Sequence, residues 1–374
     1  MTDDASDHFT SRIYAPPPGS DDQPRRPSGA ADEPPCTTEA KPNFRKLKDF
    51  CAEFRPISYA VAELMREGSL YTFTGRTGEG KTSFLVILAL AVATGRKDLI
   101  GRQVKQGRVA FCTAENPDEL RMRLMVACFI FNINLDVVGR DIIISDNRVT
   151  PEAITEWIKA TGETYTLIVV DTWQAYFDGK DANNPTQAVE FTRRFRPLAS
   201  LEGAPVVIIA AHPIKAASDD NLLPYGGGST LNEVDGNFTM LRNETGLYRF
   251  HWLGKIRGLS FEPLHFRIDK LDSPDVVTVE GARVPMPVMF PIEEADIEAR
   301  EKVSVERDKA LLKAMAADPS ASLTALSTAT KIHRSSIERA LRRLATPKGG
   351  KLVKNTLNKW TLTTAGANAV KAVQ

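Results

Sequence analysis

Residues 75 to 82 read Gly75-Arg76-Thr77-Gly78-Glu79-Gly80-Lys81-Thr82. Glycines, a lysine and a hydroxyl at this spacing suit the binding of a run of phosphates. Glycines carry no Cβ, so successive backbone N–H groups can curl around phosphate oxygens; Lys81 would reach the β- and γ-phosphates and Thr82 would ligate Mg²⁺. An apolar strand-like run, 70–74, precedes the motif, and an apolar helix-like run, 84–93, follows it. The N-terminus of that helix would add its positive end. In this context all eight residues are expected to hold ATP with Mg²⁺.

Two carboxylates complete a candidate hydrolytic site. Leu167-Ile168-Val169-Val170-Asp171 is an apolar strand ending in an acid. That acid suits the metal side of a nucleoside triphosphate, or the cap of the next turn. Glu115 directly follows another apolar run, 109–112. It could orient and deprotonate an attacking water, or belong with Asp118 and Glu119 to the solvated first turn of a helix. The aromatics Trp173, Tyr176 and Phe177 behind the Asp171 strand fit core packing better than base stacking.

The elements that must position these groups alternate in kind. Strands are expected at 70–74, 109–112, 142–144, 167–170 and 206–210, with helical patterns between them and Pro117 and Pro151 at first-turn positions. This is an α/β pattern with a mostly parallel sheet covered on both faces. Strands at 237–242, 247–253, 264–268 and 276–279 would extend the sheet. Phe44, Leu47, Phe50, Cys51 and Phe54 recur at helical spacing.

The 374 residues carry 48 basic and 47 acidic side chains, for a net charge of +1. The ends differ: residues 1–42 hold four basic and eight acidic residues with eight prolines, whereas 301–374 hold fourteen basic and five acidic. The expected organisation is a disordered acidic arm over 1–43, an ATPase domain over 44–290, a linker over 291–304 and a small domain over 305–374. The four cysteines form no C-x-x-C pair, which fits a reduced cytoplasmic setting, and no membrane anchor is expected.

Taken together these residues resemble the RecA-like hexameric ATPases and, within them, plasmid replicative helicases of the RepA type. The resemblance covers about 56–290. It rests on the phosphate loop, Thr113-Ala114-Glu115-Asn116-Pro117, Val169-Val170-Asp171-Thr172, Ile208-Ile209-Ala210-Ala211-His212 followed by Lys215, Gly227-Gly228-Ser229-Thr230, and Lys255-Ile256-Arg257. It implies Glu115 as catalytic base, Asp171 on the metal, His212 as a γ-phosphate sensor, and Lys255 and Arg257 as fingers reaching into a neighbouring subunit. It also implies a homo-hexameric ring with single-stranded DNA as partner, tracked through the loop 213–227 and Lys215. Composition alone makes that loop an ordinary surface loop. The chain departs from the family where Ala211 precedes His212 in place of a second histidine, and where Gly227 stands in place of an arginine.

Residues 331–360 contain nine basic residues and one acid. Arg339, Arg342 and Arg343 on a helix, with Lys351 and Lys354 on two strands around a turn, are similar to a winged helix-turn-helix. Such a module would add duplex DNA or partner binding. An ATP-gated DNA-binding regulator and a recombination-mediator ATPase remain the alternative functions.

Overall fold

Strands made of unbroken apolar runs have no face to give to water, so they must lie inside a sheet covered on both sides. That is where the computed structural model places them. It describes residues 44–54, 56–214, 217–219, 221–243, 245–346, 349–356 and 359–372; the arm expected over 1–43 lies outside the described residues. The chain divides into two units, 1–55 and 56–374.

In the first unit only a short helix, Leu47–Ala52, forms within the pattern that suggested one over 44–54. Its apolar residues Phe44, Leu47, Phe50 and Phe54 are exposed. Arg45 pairs with Glu53 and lies 5.1 Å from the centre of the Phe50 ring.

The second unit is built on nine strands: β1 (Leu70–Thr74), β2 (Val109–Thr113), β3 (Ile142–Ser145), β4 (Leu167–Asp171), β5 (Val206–Ala211), β6 (Gly236–Arg242), β7 (Tyr248–Ile256), β8 (Leu264–Leu271) and β9 (Met286–Pro291). Their order is β9-β8-β7-β6-β1-β5-β4-β2-β3. From β6 to β3 every pairing is parallel; β7, β8 and β9 are added antiparallel. This mixed α/β architecture fits a RecA-like P-loop fold. Alternate residues of each strand feed two cores. Phe73, Phe111, Val169 and Ile208 face the helix α1 (Lys81–Thr94), while Cys112, Ile168, Val170 and Ile209 face α3 (Pro151–Thr161) and α4 (Pro185–Arg193). Between them in sequence, α2 (Pro117–Ile130) starts at Asn116, whose side chain accepts from the Glu119 N–H at 3.1 Å, with Pro117 in the first turn. Pro151 opens α3 in the same way behind a Thr150 cap.

β1 sits in the middle, with β2 to β5 on one side and β6 on the other. The chain therefore leaves β1 in one direction and later returns past it, which opens a crevice at the carboxyl end of β1.

Two expectations change at the far edge. Residues 276–279 are not a strand; Val277 makes only an isolated bridge to Arg283 across a turn at Gly281, whose φ is +82°. The edge strand is instead β9. Pro287 and Pro291 obscured it, yet proline is tolerated on a strand with one free side. Residues 292–317, which begin inside the expected linker, contain neither proline nor glycine, and Glu294–Ala317 forms one helix, α5. α5 continues into a small domain with α6 (Leu323–Thr330), α7 (Arg334–Leu344), a hairpin of β10 (Val353–Thr356) and β11 (Lys359–Leu362), and α8 (Thr364–Lys371). Its core is Leu311, Met315, Leu326, Ile337, Leu341 and Val353. The sequence reading had not anticipated α8.

Candidate active site

The chain turns from β1 into α1 through the glycine loop. Gly78 and Gly80 have φ of +80° and +81°, a region that favours glycine. At Gly80 a Cβ would also lie 2.8 Å from Ile268 Cδ1, so β8 packs directly against the loop. Glu79 folds back to accept the Arg76 N–H at 3.0 Å. Lys81 is 7% exposed, and its ammonium donates to Gly75 O at 2.6 Å and Arg76 O at 3.2 Å. Burial lowers its pKa, against the opposing pull of Asp171, Glu79 and Glu115. A phosphate at this point would restore the charge balance that burial disturbs.

Thr82 opens α1 and donates its hydroxyl to Asp171 Oδ2 at 2.8 Å. Asp171 ends β4 and is 5% exposed; its Oδ1 is buried with no hydrogen-bond partner among the described residues. Burial raises the pKa of this carboxyl, opposed by the Thr82 hydrogen bond and by Lys81. A hydroxyl and a bare carboxylate oxygen side by side are hard donors. They fit Mg²⁺, which takes one or two protein oxygens and completes its shell with phosphate and water. When bound, the metal would neutralise charge on the β- and γ-phosphates.

Glu115 stands beyond the end of β2, whose Thr113 pairs in register with Asp171. Its carboxylate accepts the Thr172 hydroxyl at 3.5 Å, a weak contact that leaves it free to take a water. His212 follows β5. Its backbone N–H donates to Gln174 Oε1 at 3.3 Å, and its ring Nδ1 is 3.4 Å from Lys81 Nζ. Burial, then the adjacent ammonium, lowers the histidine pKa, so the imidazole is held neutral. Lys81, Thr82, Glu115, Asp171 and His212 line one cavity of about 370 Å³ together with Arg123.

Residues 36–218 match the family model of an AAA domain. The match covers just under half of the chain and spans the glycine loop, Glu115, Asp171 and His212; the likeness is to a P-loop ATPase domain. This likeness supports the expectation of ATPase activity. A comparison with curated proteins finds no match.

Arg123 was not among the residues that the sequence singled out. Its spacing from Glu119 reads as an ordinary surface pair on a helix. It does pair with Glu119, but its guanidinium also donates to Ser83 Oγ at 2.7 Å and lines the cavity. The eight-residue distance from Glu115, two helical turns past the strand end, was the available signal.

The remaining candidates lie apart from this cavity. Lys255 and Arg257 are at the opposite end of the sheet, because β7 runs antiparallel and Ile256 pairs with Gly236 at the start of β6. Lys255 donates to Leu231 O at 2.7 Å. Arg257 donates to Asp235 Oδ1 at 3.0 Å, and Arg196 pairs with the other oxygen of the same carboxylate. Burial opposes the charge on Asp235, but the Leu70 N–H, Arg196 and Arg257 outweigh it and hold its carboxyl below the usual range. Lys215 lies outside the described residues. In the small domain Arg339, Arg342, Lys351 and Lys354 are exposed, whereas Arg343 pairs with Asp308 of α5 and its side chain is only 15% exposed. Trp173 and Tyr176 are buried core residues, with Trp173 stacked on Phe177.

Proposed function

We propose that the chain is an ATP-hydrolysing motor of the cytoplasm that assembles head to tail as a ring, with six subunits, and moves along single-stranded DNA as RepA-type replicative helicases do. AAA domains of the matched kind occur in RecA-like helicases. The observation that carries the reading is the separation of the basic pair from the cavity. Lys81, Thr82, Glu115, Asp171 and His212 converge at the carboxyl end of β1, while Lys255 and Arg257 stand at its amino end. Cations so placed can serve a nucleotide only across a subunit boundary, and a head-to-tail interface supplies that boundary.

In this reading residues 44–290 are the motor. Glu115 takes the proton of the attacking water, Asp171 and Thr82 hold Mg²⁺, and neutral His212 senses the γ-phosphate. The loop 213–227 is tied to the phosphate loop, since Arg76 bonds Ala217 O at 3.0 Å and Asp219 at 2.7 Å. Nucleotide state can thus reach a DNA-facing loop through one guanidinium. Residues 305–374 act as a winged helix, with the end of α5, three further helices and a hairpin, carrying exposed cations that contact duplex phosphates or a partner protein.

One observation favours the regulator reading: Arg257 already has a partner, Asp235, in its own chain. Native mass spectrometry with a non-hydrolysable ATP analogue, followed by unwinding of a forked DNA, separates the two. The motor gives closed rings and unwinding. Monomers or dimers that bind duplex DNA without unwinding it would favour the regulator.

A further inference from the structure

The end of β6 and the small domain enclose a cavity of about 260 Å³ lined by Arg242, Asn243, Arg307, Arg339, Ala340 and Arg343. Four of the six lining residues are arginines and none is an acid. Among the described residues, Arg343 pairs with Asp308, but no carboxylate pairs with Arg242, Arg307 or Arg339. Arg307 donates to Ser304 Oγ at 3.0 Å and keeps a buried Nε without a partner among the described residues. Guanidinium groups do not shed their protons, so convergence of several on one space is relieved only by an anion. Their planar donor forks match the oxygens of a phosphate.

The surroundings indicate what carries that phosphate. A second cavity of about 560 Å³ shares Arg242, Asn243 and Arg343 with the first and adds Arg249 and Trp252. Trp252 is half-buried, and its indole N–H is buried without a partner among the described residues. Guanidinium groups for backbone phosphates beside an indole for a base are the elements of a single-strand track. Two carboxylates also line this cavity, Asp219 of the loop 213–227 and Glu301 of α5, against the three guanidinium groups of Arg242, Arg249 and Arg343. β6 runs parallel to β1, with Thr239 level with Thr74, so Arg242 lies at the same edge of the sheet as the phosphate loop.

We infer that this arginine-lined trough binds the backbone of a single nucleic-acid strand, with Arg242, Arg307 and Arg339 on phosphates and Trp252 against a base. The assignment rests on the motor reading above. It turns Arg339 from a duplex-DNA or partner contact into a strand contact facing the motor domain, and it adds Arg242 and Arg307, which the sequence did not single out.

The test uses the full chain and a labelled oligo-dT, with anisotropy followed over a salt series and tryptophan fluorescence read in parallel. The unsubstituted protein should bind the oligonucleotide, with quenching that is lost in Trp252→Phe. Arg242→Gln/Arg307→Gln should bind roughly tenfold or more weakly. The slope of log affinity against log salt should be shallower by about 1.4, two contacts at about 0.7 each. Arg242→Lys/Arg307→Lys should keep the slope and lose part of the affinity, because charge remains and the fork does not. Equal affinity and slope in the glutamine variant would overturn the site while leaving the motor reading standing. Absence of any oligo-dT binding by the unsubstituted protein would overturn both. If Lys81→Ala still takes up ATP, and Arg242→Gln abolishes that uptake, the trough is a free-nucleotide site and the strand assignment fails. Should the glutamine variant not fold, the Trp252 quench decides, and its absence counts against the trough.

Discussion

Asp171 has one oxygen on the Thr82 hydroxyl and one buried oxygen with no described partner. Its raised pKa means that, between the ordinary carboxylate value and the raised one, the folded protein keeps a proton that the unfolded chain has released. Stability therefore falls as pH climbs through that window and stays lower above it. Asp171→Asn should melt higher than the unsubstituted protein at neutral pH, and the gap should close as pH falls below the window; a melting series over pH measures this. An equal gap at all pH values would remove the ionic explanation. The same substitution should weaken Mg²⁺-dependent ATP turnover, because stability and function compete for one side chain. At the neighbouring positions, Lys81→Ala should abolish ATP binding. Glu115→Gln should bind ATP and lose about 10²–10⁴ in hydrolysis rate, the usual worth of a general base. A Glu115→Gln protein that turns over ATP normally would refute the base assignment.

At the scale of elements, the small domain depends on α7, whose Ile337, Ala340, Leu341 and Leu344 face its core. Leu341→Ala should cost about 2–5 kcal/mol of that domain's stability. ATP turnover should persist, since every group lining the nucleotide cavity lies between residues 77 and 212. Calorimetry showing two transitions, with only one shifted, would establish this; loss of turnover together with the small domain would contradict it. What could be read in advance follows the same physics. β1, β2, β4 and β5 were legible because strands buried on both faces leave unbroken apolar runs, and the glycine loop was legible because few residue types tolerate its backbone and its ligand. β9 was hidden by Pro287 and Pro291, harmless at an edge but a strand breaker elsewhere. α5 was hidden by acids that resemble a linker. The 276–279 run carried strand-forming valines that find only one isolated bridge, Val277 to Arg283, and Val279 ends fully exposed. Pairing is a property of the whole sheet, so a local window cannot decide it.

At the scale of the whole molecule, the candidate site residues divide between the two ends of one sheet: Lys81, Thr82, Glu115, Asp171 and His212 line one cavity, and Lys255 and Arg257 stand at the other end. The tail carries the excess positive charge, with fourteen basic and five acidic residues over 301–374. The central claim is that Arg257 completes the active site of a neighbour. If so, Arg257→Ala should bind nucleotide nearly normally and hydrolyse poorly, since a finger of this kind is worth about 10³–10⁵ in turnover. The most direct measurement mixes Arg257→Ala protein with Lys81→Ala protein and follows ATP hydrolysis across mixing ratios, with subunit exchange verified by mass. Some interfaces in the mixture join an intact phosphate loop to an intact finger, so activity should return although each parent is inactive. No recovery at any ratio would mean that Arg257 serves its own chain through Asp235, and the ring motor would give way to the regulator.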